Sequence, residues 1–417
     1  MVNFPVTYDE IKKITERYPT PFYIYDEEAI RQNTGRLNRA FSWNPGFRQY
    51  FAVKATPNPF ILKIFQEEGC GVDCASETEL LLAQACGFSD KDIMFTSNVT
   101  PEAEYIRAKK LGAIINLDDI THIDFLKNCT GIPETICCRY NPGGILKYEE
   151  MAINLDESKF GFTKDQLAEG FKYLAELGVK EFGIHCQLGS HRTEAEFFGS
   201  NARLLFELAV EIHRLTGVKI KFINLAGGLG IPFKPDEPAA HIEALSECIR
   251  TAYMDVIVPS ALKCVSIFTE FGIYMTGPYG YFVSSVLHIK KTYKNFIGLD
   301  ASTNSFMSPA KYHGYHHISV MGKEQAEASQ LYDITGALCE SRDRFAVDRV
   351  LPSIEKGDLL VFHDAGAYAY SHSYNFNGKL RPAELLLCAD HTAKLIRRAE
   401  TPADYFATLD FAGLDIV

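Results

Sequence analysis

Tyr50-Phe51-Ala52-Val53-Lys54-Ala55 is an aromatic and β-branched run that ends in a lysine. Asn58-Pro59 follows at once, a cap and a first-turn proline ahead of Ile61, Ile64 and Phe65. The segment therefore reads as a strand that runs directly into a helix. The same couplet recurs down the chain. Gly71–Ala75, Asp92–Thr96, Ala113–Leu117, Glu134–Tyr140, Glu181–Gln187, Lys221–Ala226 and Val265–Phe271 are further candidate strands. Helical stretches separate them. Ser76-Glu77-Thr78-Glu79 reads as a capping box with Gly87 as its stop, Thr163-Lys164-Asp165-Gln166 as a second box, Thr100-Pro101 as another helix entry, and Glu194 to Leu215 as one long helix. Eight strands alternating with helices predict an α/β fold built on a (β/α)8 barrel. A doubly wound dinucleotide fold would want G-x-G-x-x-G after the first strand, and Val53-Lys54-Ala55 stands there instead.

Beyond Gly277 the pattern changes. Tyr281–Ile289, Phe296–Leu299, His317–Met321, Asp333–Leu338, Leu359–Phe362, Glu384–Leu387 and Ala393–Ile396 read as strands with turns between them and few helices. Thr20–Tyr25 reads as one more. The expected organisation is a barrel over residues 27–276 and a mainly β domain formed by 1–26 with 277–417. No internal repeat or low-complexity linker interrupts it.

At 417 residues, 47% hydrophobic and 23% charged, the chain is long enough to bury a large core without staples, which excludes disordered and disulfide-scaffold classes. Forty-two Lys and Arg against 53 Asp and Glu leave a net charge of −11, which argues against a nucleic-acid partner. The eleven cysteines are odd in number and scattered, and no signal peptide or bilayer-length apolar run is read. A cytoplasmic protein with free thiols is expected.

A barrel of this kind places its active site at the carboxyl ends of its strands. That rule draws together Lys54, the Gln187-Leu188-Gly189-Ser190 turn, the Gly227-Gly228-Leu229-Gly230 turn and Glu270. A partly desolvated lysine amine condenses with an aldehyde. Glycines let backbone N–H groups approach a phosphate. A buried carboxylate keeps a pyridine nitrogen protonated. Together these are the requirements of pyridoxal 5'-phosphate, an electron sink for amino-acid chemistry. Each residue alone also has a structural reading: a solvated lysine, an ordinary turn, a salt-bridged carboxylate. Their convergence on one barrel face favours the joint reading.

Tyr50–Ala55 resembles the cofactor-lysine motif of the fold-type III pyridoxal-phosphate decarboxylases, most closely the diaminopimelate decarboxylases and more distantly the ornithine decarboxylases. Asn224–Gly230 looks like that family's phosphate loop. Cys339-Glu340-Ser341, Asp364-Ala365-Gly366-Ala367-Tyr368 and Arg381-Pro382-Ala383-Glu384 look like its β-domain motifs. The resemblance runs from about Thr20 to Phe411. It implies an alanine-racemase-like architecture and a carboxy-lyase reaction, with meso-diaminopimelate as the default substrate and lysine biosynthesis as the setting. Lys54 would hold the cofactor and Glu270 would pair with its ring nitrogen. Gly227, Gly228 and Gly230 would bind its phosphate, with Ser190 and Tyr368 assisting. Cys339, a plausible proton donor, and Glu340, which would read the distal amine, would reach the site from the second subunit of a homodimer.

The departures from the family pattern concern the substrate. Gln187 stands where the family has a ring-stacking histidine; a glutamine amide could lie flat under a ring, and His185 and His191 flank the position without aligning. Ile273 and Ser308, the latter four residues before Tyr312, stand where the family has arginines for a second carboxylate. Losing a charge-assisted bond costs on the order of 1.5–3 kcal/mol, so two losses weaken binding by roughly 10²–10⁴. Either nearby cations compensate, with Lys311, His191, Arg192 and His313 as candidates, or the substrate is another diamino acid of the D-lysine or D-ornithine kind. An amino-acid racemase and a non-catalytic homologue are the alternatives. His313, His316 and His317 cluster without metal-ligand spacing, so no metal is expected.

Overall fold

The computed structural model describes residues 4–143 and 157–413. Arg31–Pro232 with Pro238–Met275 form one unit, and Met1–Ile30, Phe233–Glu237 and Thr276–Val417 form the other. The first unit is a closed barrel of parallel strands: β2 (Arg48–Ala52), β3 (Gly71–Cys74), β4 (Ile93–Thr96), β5 (Ile114–Leu117), β6 (Thr135–Arg139), β7 (Glu181–His185), β8 (Ile220–Asn224) and β9 (Ser266–Thr269), which pairs back to β2. The label β1 belongs to Phe22–Asp26 of the other unit.

Helix starts follow the local signals with one difference. Asn58 accepts from the Phe60 N–H at 3.0 Å, with Pro59 in the first turn. Thr163 and Gln166 form a reciprocal box, at 3.3 and 3.0 Å. At Ser76 only half of the expected box is made. The Ser76 hydroxyl accepts from Glu79 N–H, but the Glu79 carboxylate reaches one residue further, to the N–H of Ala75 at 2.7 Å. Ala75 lies just past β3, where the ladder no longer takes its amide.

Inside the barrel, Tyr50, Met94, Ile114, Cys137, Phe222 and Phe268 form a buried apolar cluster. Phe222 stacks on Phe268 at 4.8 Å, and Tyr50 packs against Phe268 at 4.9 Å. The cylinder is thus a filled core and not a pore, and polar chemistry is left to its ends.

The β unit holds a nine-stranded sheet. Its main path runs β14 (Arg344–Leu351), β13 (Gln330–Thr335), β11 (Asn295–Leu299), β10 (Gly280–Lys291), β1, β16 (Ala383–Leu387) and β17 (Ala393–Arg397), with β12 (Ile318–Val320) on β15 (Leu359–Phe362), which also pairs β10. The amino-terminal strand lies between β10, antiparallel, and β16, parallel. Both of its faces are buried. Phe22 and Ile24 enter the core with Tyr281, Val283, Val361 and Leu385. Tyr23 and Tyr25 point the other way and donate to Ser305 O and to Glu384. The sequence showed no strand at β14. Its ladder to β13 shifts register twice and Asp348 takes a left-handed φ of 48°, so the period-two signal is broken where it would be read.

Among the described residues no helix is long and apolar enough to cross a membrane, and no group of three or more His, Cys, Asp or Glu could hold a metal ion. All eleven cysteines are free.

Candidate active site

Four neighbouring strands, in the order β8, β9, β2 and β3, carry the chemical groups of the barrel at their carboxyl ends. The glycine turn follows β8, Glu270 follows β9, Lys54 sits in the 3-10 turn Val53–Ala55 just past β2, and Asp73 lies on β3. Asp73 lies within its ladder, whereas Glu270 sits one residue and Lys54 two residues beyond the last ladder pair of its strand, and the glycine turn begins three residues beyond Asn224. There the backbone has left the sheet and side chains take over its hydrogen bonds. The Asn224 side-chain oxygen Oδ1 accepts from Ala226 N–H at 2.9 Å, and Gln49 Oε1 accepts from Phe271 N–H at 3.3 Å and from Thr269 Oγ1 at 2.6 Å.

Glu270 is 7% exposed. The Asn224 amide donates to Oε1 at 2.7 Å, and His185 Nε2 lies 3.4 Å from Oε2. Burial alone would raise its pKa. The His185 ring, the Lys54 ammonium and the Asn224 donor outweigh burial and hold the carboxyl below its ordinary value. Asp73 is the converse. It is 1% exposed, and neither carboxylate oxygen has a hydrogen-bond partner. Lys54 Nζ stands 3.5 Å from Oδ2. Burial first, and then the charge of Glu270, push the Asp73 carboxyl well up, against the pull of Lys54. The two acids of the mouth are driven apart, so one stays ionised while the other tends to keep a proton.

The glycine turn is tight. Ala226 has φ 58° and Gly228 φ 93°. A Cβ on Gly228 would stand 2.3 Å from the Gly189 carbonyl oxygen, and one on Gly230 would stand 2.7 Å from the His191 backbone. The turn is zipped to the segment after β7 by Arg192 N–H to Gly228 O, 3.0 Å, and Gly230 N–H to Arg192 O, 2.7 Å. Gln187 joins the same two loops. Its amide nitrogen donates to the Gly189 carbonyl and its oxygen accepts from Gly227 N–H at 3.0 Å. This carboxamide is engaged by backbone on both sides, which is how the chain uses the position. Ser190 is exposed beside it. Among the proposed compensating cations, Arg192 pairs with Glu194 at 3.2 Å and lies over the Phe197 ring, and burial lowers the pKa of His191. Ile273 opens the short helix Ile273–Thr276, partly buried.

The remaining candidates belong to the β unit. Tyr368 takes a left-handed φ of 55° two residues past Gly366. Cys339 and Glu340 are exposed in one loop. Asn377 accepts from Cys339 N–H at 2.7 Å, and Asp343 pins the loop by accepting from Leu338 N–H at 2.7 Å and from Thr303 N–H and Oγ1 at 2.7 and 2.8 Å. Tyr312 is 56% exposed, with Lys311 Nζ 5.0 Å from its ring centroid. Ser308 begins the helix Ser308–Tyr312, and its hydroxyl meets His316. His313 follows that helix with φ 52°.

Sequence reasoning passed over Asp73, Asn224 as a partner of Glu270, and the contact of His185 with that carboxylate. For Asp73 a signal existed: a carboxylate in the middle of a short, otherwise buried strand. For the other two only the closed barrel brings them together.

A lysine, an ionised buried carboxylate and a glycine turn that excludes Cβ atoms fit a phosphorylated pyridine aldehyde, whose aldehyde, ring nitrogen and phosphate need those three groups. The fold and this mouth define a pyridoxal phosphate-dependent enzyme. The comparisons specify it further. Residues 27–277 match the family described as "Pyridoxal-dependent decarboxylase, pyridoxal binding domain". The protein TabA of Pseudomonas amygdali pv. tabaci is 36% identical over 406 residues, covering 97% of this chain and 95% of that protein. The diaminopimelate decarboxylase of Methanothermobacter thermautotrophicus is 35% identical, covering 94% and 92%. The crystal structure of diaminopimelate decarboxylase from M. jannaschii in complex with L-lysine superposes with a TM-score of 0.87 at 30% identity, over 97% of this chain and 94% of that one. The chain belongs to the pyridoxal-dependent decarboxylase family. It is a carboxy-lyase that acts on amino acids with pyridoxal 5'-phosphate.

Proposed function

We propose that this enzyme removes carbon dioxide from a small diamino acid, with Lys54 as the residue that holds the cofactor. The diaminopimelate of the named relatives is the first candidate substrate. The observation that carries the reading is Glu270, kept ionised by His185 and Asn224 on the strand between Lys54 and the glycine turn. When bound, pyridoxal phosphate supplies the electron sink that makes loss of carbon dioxide feasible.

The protein side of the reaction follows from its own groups. Glu270, ionised and oriented by two donors, holds a proton on the ring nitrogen. Gly227, Gly228 and Gly230 bring the backbone close to the phosphate, with Ser190 and Tyr368 beside it, and Gln187 keeps the two loops in register. Asp73 faces the lysine amine and is suited to exchange a proton with it. Cys339 delivers the proton that replaces carbon dioxide, and Glu340 accepts from the distal amine of the substrate. Both act from the second subunit of a homodimer, and the barrel of one chain is incomplete without its partner. The setting is the cytosol, in keeping with eleven free thiols.

The test is direct. The purified protein is loaded with cofactor, and carbon dioxide release is followed on meso-diaminopimelate, D- and L-lysine and D-ornithine. Gas release from at least one of them, lost in Lys54→Ala together with the visible absorbance of bound cofactor, is the expected outcome. Change of substrate chirality without gas would replace the reading with a racemase.

A further inference from the structure

The amides of the glycine turn do not share one fate. Gly227 N–H donates to Gln187 Oε1 at 3.0 Å, and Gly230 N–H donates to the Arg192 carbonyl at 2.7 Å. Both are committed inside the barrel unit. Between them, the N–H groups of Gly228 and Leu229 have no hydrogen-bond partner among the described residues. Leu229 is fully buried and Gly228 partly so. Buried backbone N–H groups are almost always paired, so two successive orphans in one turn mark a place built for an acceptor from outside the chain. The next helix opens only at Ile242, so the turn draws on its own amides and not on a helix dipole.

Gln187 lies along the back of this turn. A Cβ on Gly228 would stand 3.1 Å from its Nε2, and one on Gly227 would stand 3.7 Å from its Oε1. The same carboxamide donates to the Gly189 carbonyl of the facing loop. We propose that Gln187 is a positioning residue for the cofactor's phosphate: it takes the first amide of the turn for itself and so fixes the peptide planes that follow, which present the Gly228 and Leu229 N–H groups to the phosphate ester. This rests on the reading of the glycine turn as the phosphate site, which the orphan amides and the excluded Cβ atoms support within the barrel unit alone. A carboxamide suits the task because it carries an acceptor and a donor on one short stem. It is also uncharged, whereas a carboxylate here would meet the phosphate with its own sign.

The full-length protein, freed of cofactor, is titrated with pyridoxal 5'-phosphate and with pyridoxal, which keeps the ring and aldehyde but lacks the phosphate. Visible absorbance reads both affinities, and their ratio is the phosphate margin. In Gln187→Ala the margin is expected to shrink about tenfold, while pyridoxal affinity stays at the wild-type value. Gln187→Glu keeps an acceptor for Gly227 N–H but loses the donor and adds a charge, so its margin shrinks at least as much. In protein carrying isotope-labelled leucine, the Leu229 amide proton resonance moves downfield with pyridoxal 5'-phosphate and stays in place with pyridoxal. The proposal is overturned by an unchanged margin in Gln187→Ala, by equal loss of both ligands in that variant, or by a Leu229 resonance that does not move. Wild-type protein without any phosphate margin would take down the reading of the turn as well. A wild-type margin that survives Gln187→Ala leaves that reading standing and removes only the positioning role.

Discussion

Glu270 and Asp73 are two acids of one buried mouth with opposite fates, and their surroundings decide which is charged. Glu270 has a donor on each oxygen; Asp73 is buried with Lys54 Nζ 3.5 Å away, and the pull of Lys54 and Thr96 does not offset burial and the Glu270 charge. Replacing Glu270 with Gln leaves the shape but removes the negative charge that is proposed to face the ring nitrogen. Turnover is expected to fall by roughly 10²–10⁴ while bound cofactor, measured by absorbance, stays near stoichiometric. Unchanged turnover would remove Glu270 from the chemistry. Asp73 gives a stability prediction with a definite sign. Its folded-state pKa is raised above the unfolded value, so the folded protein binds the proton more tightly. The stability this lends is complete below about pH 4, the ordinary aspartate range, and is lost as pH rises through the folded-state value of about 8. Urea midpoints of cofactor-free protein should therefore fall from acid to neutral pH, and Asp73→Asn should flatten that slope. A slope of equal size in the variant would show that other groups carry it. Lys54 was legible as a residue because a lysine closing an apolar run is conspicuous; the state of Asp73 was not, since it depends on burial and on a charge nearly two hundred residues away.

At the scale of elements, the chemistry lies where strands have just ended. The sequence pattern carried the strands to Ala55, Gln187, Ala226 and Phe271, whereas the ladders stop at Ala52, His185, Asn224 and Thr269. The apolar run continues past the last pair because the turns at the mouth are also buried, so hydrophobicity could not mark the point where the backbone departs from the sheet. The glycine turn was legible as a turn. Its reason is contact: a Cβ at residue 228 would collide with the carbonyl of Gly189 and would also sit at positive φ. Gly228→Ala forces that carbonyl and the Gln187 bridge to shift. Cofactor affinity, measured by fluorescence titration, is expected to weaken at least about tenfold, equivalent to about 1.4 kcal/mol, with far-ultraviolet circular dichroism unchanged. Wild-type affinity in that variant would take the phosphate role away from the turn. Strand β14 was missed for the opposite reason, since its bulge erases the alternation by which strands are found.

For the whole molecule, the proposed homodimer with shared sites has a consequence that one chain alone could not produce. On that proposal Lys54→Ala and Cys339→Ala should each be inactive. Mixed in equal amounts and allowed to exchange subunits, half the dimers are mixed and each of those holds one intact site of two. About one quarter of wild-type gas release should return. No recovery after verified exchange would place both residues in the same chain's site.

Read alone, the chain determined its class. The alternation of short buried strands with capped helices is a local, periodic property, and so is the change to strands and turns after Gly277. The tertiary structure alone decided which residues meet. The amino-terminal strand lies between β10 and β16, more than 250 residues ahead of either. Glu270 is held by His185 and Asn224 across the closed barrel, and the Gln187 carboxamide joins the loops after β7 and β8. These pairings depend on low-dielectric burial and on contacts between distant segments, and no local pattern of side chains encodes either one.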